Sequence, residues 1–220
     1  MKVTVFGATG PTGLWICNLA LAAGHNVTAV SRRPDPLLLP SSERISITVA
    51  DAITGTGVDK AVTGADAVLS ALGAPYGPRE INIYSQGTDT IIGAMRKQSA
   101  GNRLVVVSSG LTYPPPHTNF VADFAIFPLL RNVIGRTLYQ DMRRMEEELQ
   151  KNKDIAWTIM RPGRLINSPR VSDYHLDVGH PSFAYTARAD LAAAMVDELD
   201  RTDNIHTPVA PSTNRHGAQK

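Results

Sequence analysis

Short apolar runs alternate along this chain with segments whose apolar residues recur at helical spacing. Val3-Thr4-Val5-Phe6 reads as a strand, and Thr12 to Ala23 as a helix with Ile16, Leu19, Ala20 and Ala23 on one side and Gly24 placed to end it. Asn26 to Val30, Arg44 to Val49, Ala67 to Ala71, Leu104 to Val107 and Ala156 to Met160 read as further strands. A short helix is expected around Val58 to Val62, and a longer one from Ser85 to Gln98 with Thr88, Ile91, Ile92 and Met95 together. Leu138, Met142, Met145 and Leu149 form one stripe of a long helix. Thr186 is placed to cap a final helix reaching about Leu199, and Ile205 to Ala210 reads as a last strand. Near-continuous apolar strands alternating with helices predict an α/β fold: a doubly wound, mainly parallel sheet with helices on both faces.

Between these elements, the loop from Gly110 to Asn119 holds Pro114, Pro115 and Pro116 and is expected to be stiff and exposed. Ser168 to Ser182 has no clear period and is the candidate substrate-side flap. Residues after about Ser212 are expected to fray. The length, 220 residues, suits one domain spanning 1–220, with substrate-side elements around 110–135 and 164–186.

Composition narrows the function classes. A formal net charge of +2 argues against a nucleic-acid or membrane-surface partner. The single cysteine, Cys17, excludes an intramolecular disulfide and falls among apolar neighbours, where it reads as an inert packed thiol. Gly7, Gly10, Pro11 and Gly13 break any apolar signal core. The apolar stretch Phe120 to Ile134 is interrupted by Asp123, Pro128, Arg131 and Asn132, so no membrane span is expected and the expected address is cytoplasmic. His25, His117, His175, His180, His206 and His216 show no common metal-ligand spacing, so no metal is expected. His117, Tyr113, Tyr174 and His175 lie in loops that could face a substrate.

The strongest chemical signal is Gly7-Ala8-Thr9-Gly10-Pro11-Thr12-Gly13, which follows a strand and opens a helix. Glycine permits the tight turn and close approach of backbone amides to phosphate, and the helix directs unpaired N–H groups and a positive dipole end at the anion. A proline at the first helical turn loses no useful hydrogen bond. The turn therefore predicts a Rossmann-type dinucleotide site. At the end of the second strand stand Ser31-Arg32-Arg33, with no acid between Asn26 and Pro34 to bind ribose hydroxyls. Two guanidinium groups suit a 2′-phosphate, so NADP(H) is expected in preference to NAD(H). Asp51, followed by Ala52, could accept from the adenine amino group or simply close a turn. Ala71-Leu72-Gly73 are small enough at the fourth strand's end to let the cofactor backbone pass.

With these residues in place, the chain resembles the atypical short-chain dehydrogenase/reductases of the NAD(P)H-binding, NmrA-like group, and within it the biliverdin-reductase-B and flavin-reductase-like proteins. The matching pieces span nearly the whole chain. They are the glycine turn, Gly64-Ala65-Asp66-Ala67-Val68, Val106-Val107-Ser108-Ser109, Pro128-Leu129-Leu130-Arg131, Met145-Glu146-Glu147-Glu148-Leu149, Trp157-Thr158-Ile159-Met160-Arg161-Pro162-Gly163 and Ala187-Arg188-Ala189-Asp190-Leu191-Ala192. The resemblance implies strand order 3-2-1-4-5-6-7. It also implies Ser108 or Ser109 near the nicotinamide, with Arg161, Pro162 and Gly163 shaping the pocket wall.

Ser109, beyond a strand end, could hydrogen-bond a substrate carbonyl and stabilise charge as hydride arrives, or could bond its own turn. Short-chain dehydrogenases usually carry Tyr-x-x-x-Lys, in which the lysine lowers the tyrosine pKa. This chain departs from that pattern with Tyr139-Gln140-Asp141-Met142-Arg143. Arg143 could assist Tyr139 one turn away, or could pair with Glu147 and leave Tyr139 to pack. The expected function is an NADPH-dependent oxidoreductase passing hydride to a small planar or carbonyl acceptor: a flavin, a quinone or an enone. The alternatives are a non-catalytic NADP(H)-binding redox regulator and an epimerase or dehydratase. The expected ligand is a small molecule, and the expected state is a monomer or homodimer.

Overall fold

Val3, Thr4, Val5 and Phe6 are all buried, so β1 (Lys2–Phe6) has no face left for water and must be covered on both sides. It pairs in parallel with β2 (Asn26–Ser31) on one edge and β4 (Ala67–Ser70) on the other. The computed structural model describes residues 1–33, 39, 42–77, 79–114, 116 and 121–214. Outward from this centre lie β3 (Ile45–Val49) beside β2, then β5 (Arg103–Val107), β6 (Ala156–Met160) and β10 (Thr207–Ser212) beyond β4, all parallel.

The period-two alternation of each strand divides the core. Val3 and Val5 face α1 (Pro11–Ala22) and α6 (Arg188–Asp197), meeting Ile16, Cys17, Ala20, Leu191 and Met195. Phe6, Val68, Leu104, Val106, Trp157 and Ile159 face the opposite side, with α3 (Ser85–Lys97) and α5 (Arg136–Lys151) supplying Ile91, Met95, Met142 and Leu149. A short helix, α2 (Val58–Val62), packs on that same face. Burying each such side chain stabilises the fold by roughly 1.5–3 kcal/mol. The doubly wound α/β architecture is therefore as expected from the pattern.

The expected order of seven strands holds, and an eighth strand is added at its end: β3-β2-β1-β4-β5-β6-β10-β8. That strand, β8 (His175–Val178), falls inside the stretch read as a substrate-side flap and pairs antiparallel with β10. Four residues at a sheet edge leave too short an alternation to register as a strand in the sequence. Thr186 does not cap α6. It lies in β9 (Tyr185–Ala187), which pairs with β7 (Arg164–Ile166), and its hydroxyl donates to the Pro211 carbonyl at 2.6 Å. The helix begins after Ala187 without a side-chain cap. Thr213 is buried and its hydroxyl donates to buried Asp190 at 2.5 Å, while the rest of the tail expected to fray, residues 215–220, lies outside the described residues.

The segment before α5 is helical with wide turns: π-helical Ala122–Ile126, α4 (Phe127–Leu129) and π-helical Leu130–Ile134. Phe124, Leu129 and Val133 are exposed on it. No helix among the described residues is long and apolar enough to cross a membrane. His117, Pro115 and Phe120 lie outside the described residues.

Cys17 is fully buried between β1 and α6, and burial pushes its thiol up to about 12. At pH 8 a thiol of that pKa is about one part in ten thousand thiolate, against about one in ten for a free one. Thiol-reactive dye should therefore label native protein at least about a hundredfold more slowly than urea-unfolded protein, read by absorbance at constant pH. Equal rates would show that Cys17 is accessible.

Candidate functional site

Because the strands from β3 to β6 run parallel, their carboxyl ends deliver Gly7, Arg32, Ala50, Ala71, Ser108 and Arg161 to one edge of the sheet. β1 lies between β2 and β4, so the strand order reverses there and opens a crevice, the place where such sheets bind ligands.

At the crevice, the first glycine turn leaves no room for side chains. Gly7 has φ +75°, and a Cβ on it would lie 2.5 Å from the Ala71 carbonyl oxygen. A Cβ on Gly13 would lie 2.1 Å from the Gly7 carbonyl oxygen, so the start of α1 could not approach the turn. The Gly10 amide closes the turn on Gly7 at 3.0 Å. No acidic residue stands in the first turn of α1, and Gly10 contributes no side-chain cap. The amides of Thr12 and Gly13 therefore have no intrahelical acceptor, and the positive end of the helix is uncancelled. Ala8 is buried while Thr9 and Pro11 are exposed. This cradle fits the pyrophosphate of a dinucleotide, which when bound would supply hydride chemistry at its nicotinamide.

Ser31 is buried, and its hydroxyl accepts from the Arg33 amide at 3.1 Å, which turns the chain so that Arg32 and Arg33 are both exposed at the edge. Asp51 closes its own turn, accepting from the Ile53 amide at 2.8 Å and the Thr54 amide at 3.4 Å. Ala52 packs into the core beside Gly87, which leaves only its backbone for a ligand. Ala71 and Leu72 are half-buried and Gly73 is exposed.

Ser108 and Ser109 separate sharply. Ser108 is buried, and its hydroxyl donates to Glu146 at 2.5 Å while bonding Thr112 at 2.9 Å. Its side chain is thereby committed to the protein rather than to a nicotinamide. Glu146 is 0% exposed and forms an ion pair with Arg161, whose guanidinium also lies 4.8 Å over the Tyr113 ring. Pro162 is buried and its carbonyl accepts from the Gly110 amide at 2.8 Å, while the Gly163 amide donates to Thr186 at 2.9 Å. These bonds join the ends of β5 and β6 to β9 as one wall. His180 completes it, with its pKa lowered by burial first and by the Arg161 charge second.

Ser109 is half-buried. Its hydroxyl accepts from the Leu111 amide at 3.2 Å and is near enough to Tyr139 to lower that phenol's pKa, a smaller effect than the two that raise it. Tyr139 is only 2% exposed, and its hydroxyl lies 2.7 Å from that of Tyr76. Burial first, and the Tyr76 hydrogen bond second, raise the Tyr139 pKa well above the ordinary phenol value. Arg143 does not pair with Glu147 as one reading expected. It donates to the Thr112 carbonyl at 3.1 Å and sits 5.4 Å over the Tyr113 ring. The structure thus brings Ser109 and Tyr139 together. It adds Tyr76, which the sequence reading missed because 63 residues separate it from Tyr139. Glu146 was legible only as part of a motif, although its position two turns after Tyr139 places both on one face of α5. Tyr76 also lines a cavity of about 660 Å³ with Ile81, Ile134, Arg136, Gln140 and Arg144 among its other walls. Among the described residues no group of three or more His, Cys, Asp or Glu is arranged to hold a metal.

The sequence pattern of the NAD(P)H-binding family matches residues 7–202. The YwnB protein of Bacillus subtilis (strain 168) is 25% identical over 213 residues, which cover 93% of this chain and 94% of that protein. A short-chain dehydrogenase/reductase from Veillonella parvula, solved in complex with NADP, superposes with a TM-score of 0.79 at 21% identity, covering 100% of this chain and 97% of that one. A candidate NADH-flavin reductase from Streptococcus pneumoniae superposes with a TM-score of 0.76 at 24% identity, covering 97% of this chain and 100% of that one.

The wall depends on its buried ion pair. Glu146→Ala should destabilise the protein by about 3–5 kcal/mol in urea unfolding, because it leaves the Arg161 charge buried without its partner. Replacing both residues by leucine should cost less than the single change. A single variant as stable as the wild type would show that the pair does not form.

Proposed function

The chain belongs to the NAD(P)H-binding family, and from that premise we propose that it is an NADPH-dependent reductase passing hydride to a small planar or carbonyl acceptor such as a flavin, a quinone or an enone. The observation that carries this reading is Ser109, half-buried just past the end of β5 on the same sheet edge as the glycine turn, with the buried Tyr139 near enough for Ser109 to lower its pKa. Ser109 is placed to hydrogen-bond an acceptor oxygen and to stabilise the charge that develops there as hydride arrives. Tyr139, with its pKa raised by burial and by Tyr76, stays protonated across the working pH range and serves as a donor. A protonated phenol suits reduction. It suits an epimerase or dehydratase poorly, since these need a base in the same place.

Gly7, Gly10, Thr12 and Gly13 would hold the pyrophosphate, and Ala71-Leu72-Gly73 would flank it. Arg32 and Arg33, exposed at the end of β2 with no acid between Asn26 and Pro34 in the sequence, support NADP(H) over NAD(H). The NADP bound to the Veillonella parvula structure supports the same choice. Arg161, Pro162 and Gly163 would act by shaping the wall rather than by touching the reaction. A second reading, an NADP(H)-binding regulator, draws support from the exposed Phe124, Leu129 and Val133 before α5.

A two-stage fluorescence assay separates the readings: protein is added to NADPH, then flavins, quinones and enones in turn. Acceptor-dependent loss of NADPH fluorescence is expected. Binding without loss across the panel would favour the regulator, and no binding of either nucleotide would overturn both. Arg32→Ala with Arg33→Ala should weaken NADPH at least about tenfold more than NADH, by fluorescence titration. Equal losses for the two nucleotides would remove the NADP preference.

A further inference from the structure

We propose that Tyr76 is the outer member of a proton relay, Tyr76–Tyr139–Ser109, that carries a proton from the cavity beside α5 to the acceptor at the end of β5. The proposal rests on the reductase reading and adds to it the source of the proton. Tyr139 is almost completely enclosed and would have no route of its own to solvent once it had given a proton away. Tyr76, 54% exposed and lining the cavity of about 660 Å³, has that route. Its hydroxyl is 2.7 Å from that of Tyr139, and Ser109, half-buried just past the end of β5, is near enough to Tyr139 to lower its pKa. Each of these hydroxyls can both donate and accept, as a relay requires.

The chain on either side of Tyr76 is tied down by hydrogen bonds. On one side of Tyr76, the Ala74 amide donates to the Tyr84 hydroxyl at 3.3 Å; on the other, the Thr137 hydroxyl donates to the Gly77 carbonyl at 3.2 Å. The rings meet at a centroid distance of 6.2 Å, tilted by 55°. They do so over Gly135, where a Cβ would come within 2.6 Å of the Tyr139 ring and 2.7 Å of the Tyr76 ring. Any other residue at 135 would push the two phenols apart.

The chemistry balances. Reduction of the acceptor takes two electrons as hydride from NADPH, which becomes NADP, and one proton on the acceptor oxygen. Ser109 gives its hydroxyl proton to that oxygen and takes the Tyr139 proton. Tyr139 takes the Tyr76 proton, and water in the cavity restores Tyr76. One proton leaves solvent per turnover, and every residue of the chain ends as it began.

Tyr76→Phe keeps the ring and removes the relay atom. With menadione as acceptor, turnover should fall about tenfold or more with the KM for NADPH unchanged. The solvent deuterium isotope effect on turnover should rise as proton delivery becomes limiting. On the cofactor-free protein at pH 7, the carbon-13 resonance of the Tyr139 ζ carbon should shift in Tyr76→Phe, because its hydroxyl loses a partner. A wild type that oxidises NADPH beside a variant with the same turnover and the same isotope effect would overturn the relay alone. An unmoved Tyr139 resonance would also overturn it. Absence of NADPH oxidation by the wild type with every acceptor would instead overturn the reductase reading on which the relay rests.

Discussion

The buried ion pair between Glu146 and Arg161 is the constraint on which the geometry of the site depends. A carboxylate with no exposure is tolerable only if its charge is answered, and here Arg161 pairs with it while the Ser108 hydroxyl donates to it. These three residues come from α5, the end of β6 and the end of β5. Satisfying one carboxylate therefore fixes the rotation and axial position of α5 against the sheet. Tyr139 lies seven residues before Glu146, about two turns or 10 Å along the helix, on the same face. Ser109 follows Ser108 directly. The contact between Tyr139 and Ser109 is thus the downstream result of a charge pair that touches neither hydroxyl.

This arrangement explains why parts of the molecule were legible in the sequence and others were not. The glycine turn could be read because its constraint is local: Gly7 and Gly13 collide with atoms of their own turn or of the adjoining strand end if given a Cβ. The parallel strands could be read because burial on both faces writes a continuous apolar run. β8 could not, since an edge strand of four residues carries little pattern. Thr186 has the chemistry of a helix cap, but the β7–β9 pairing and the Pro211 carbonyl claim it first. Asp51 allowed two readings, and its own turn amides take one carboxylate oxygen. Tyr76 left no trace, because a contact across 63 residues depends on the fold already being in place.

The departure from Tyr-x-x-x-Lys changes what the tyrosine can do. A cation beside a phenol lowers its pKa and makes it an acid or a base as direction demands. Arg143 occupies the lysine position, yet its guanidinium is drawn to the Thr112 carbonyl and the Tyr113 ring. Tyr139 gains another phenol instead, and both burial and that neighbour raise its pKa. Such a group holds its proton firmly and gives it only to a strongly basic oxygen, of the kind that forms when hydride reaches a carbonyl. It would be a poor base for drawing a proton from an alcohol. On the proposed reading, a bias toward reduction would follow from replacing a charged partner with a neutral one, and the same replacement would leave the buried phenol in need of a second hydroxyl, that of Tyr76, to recharge it.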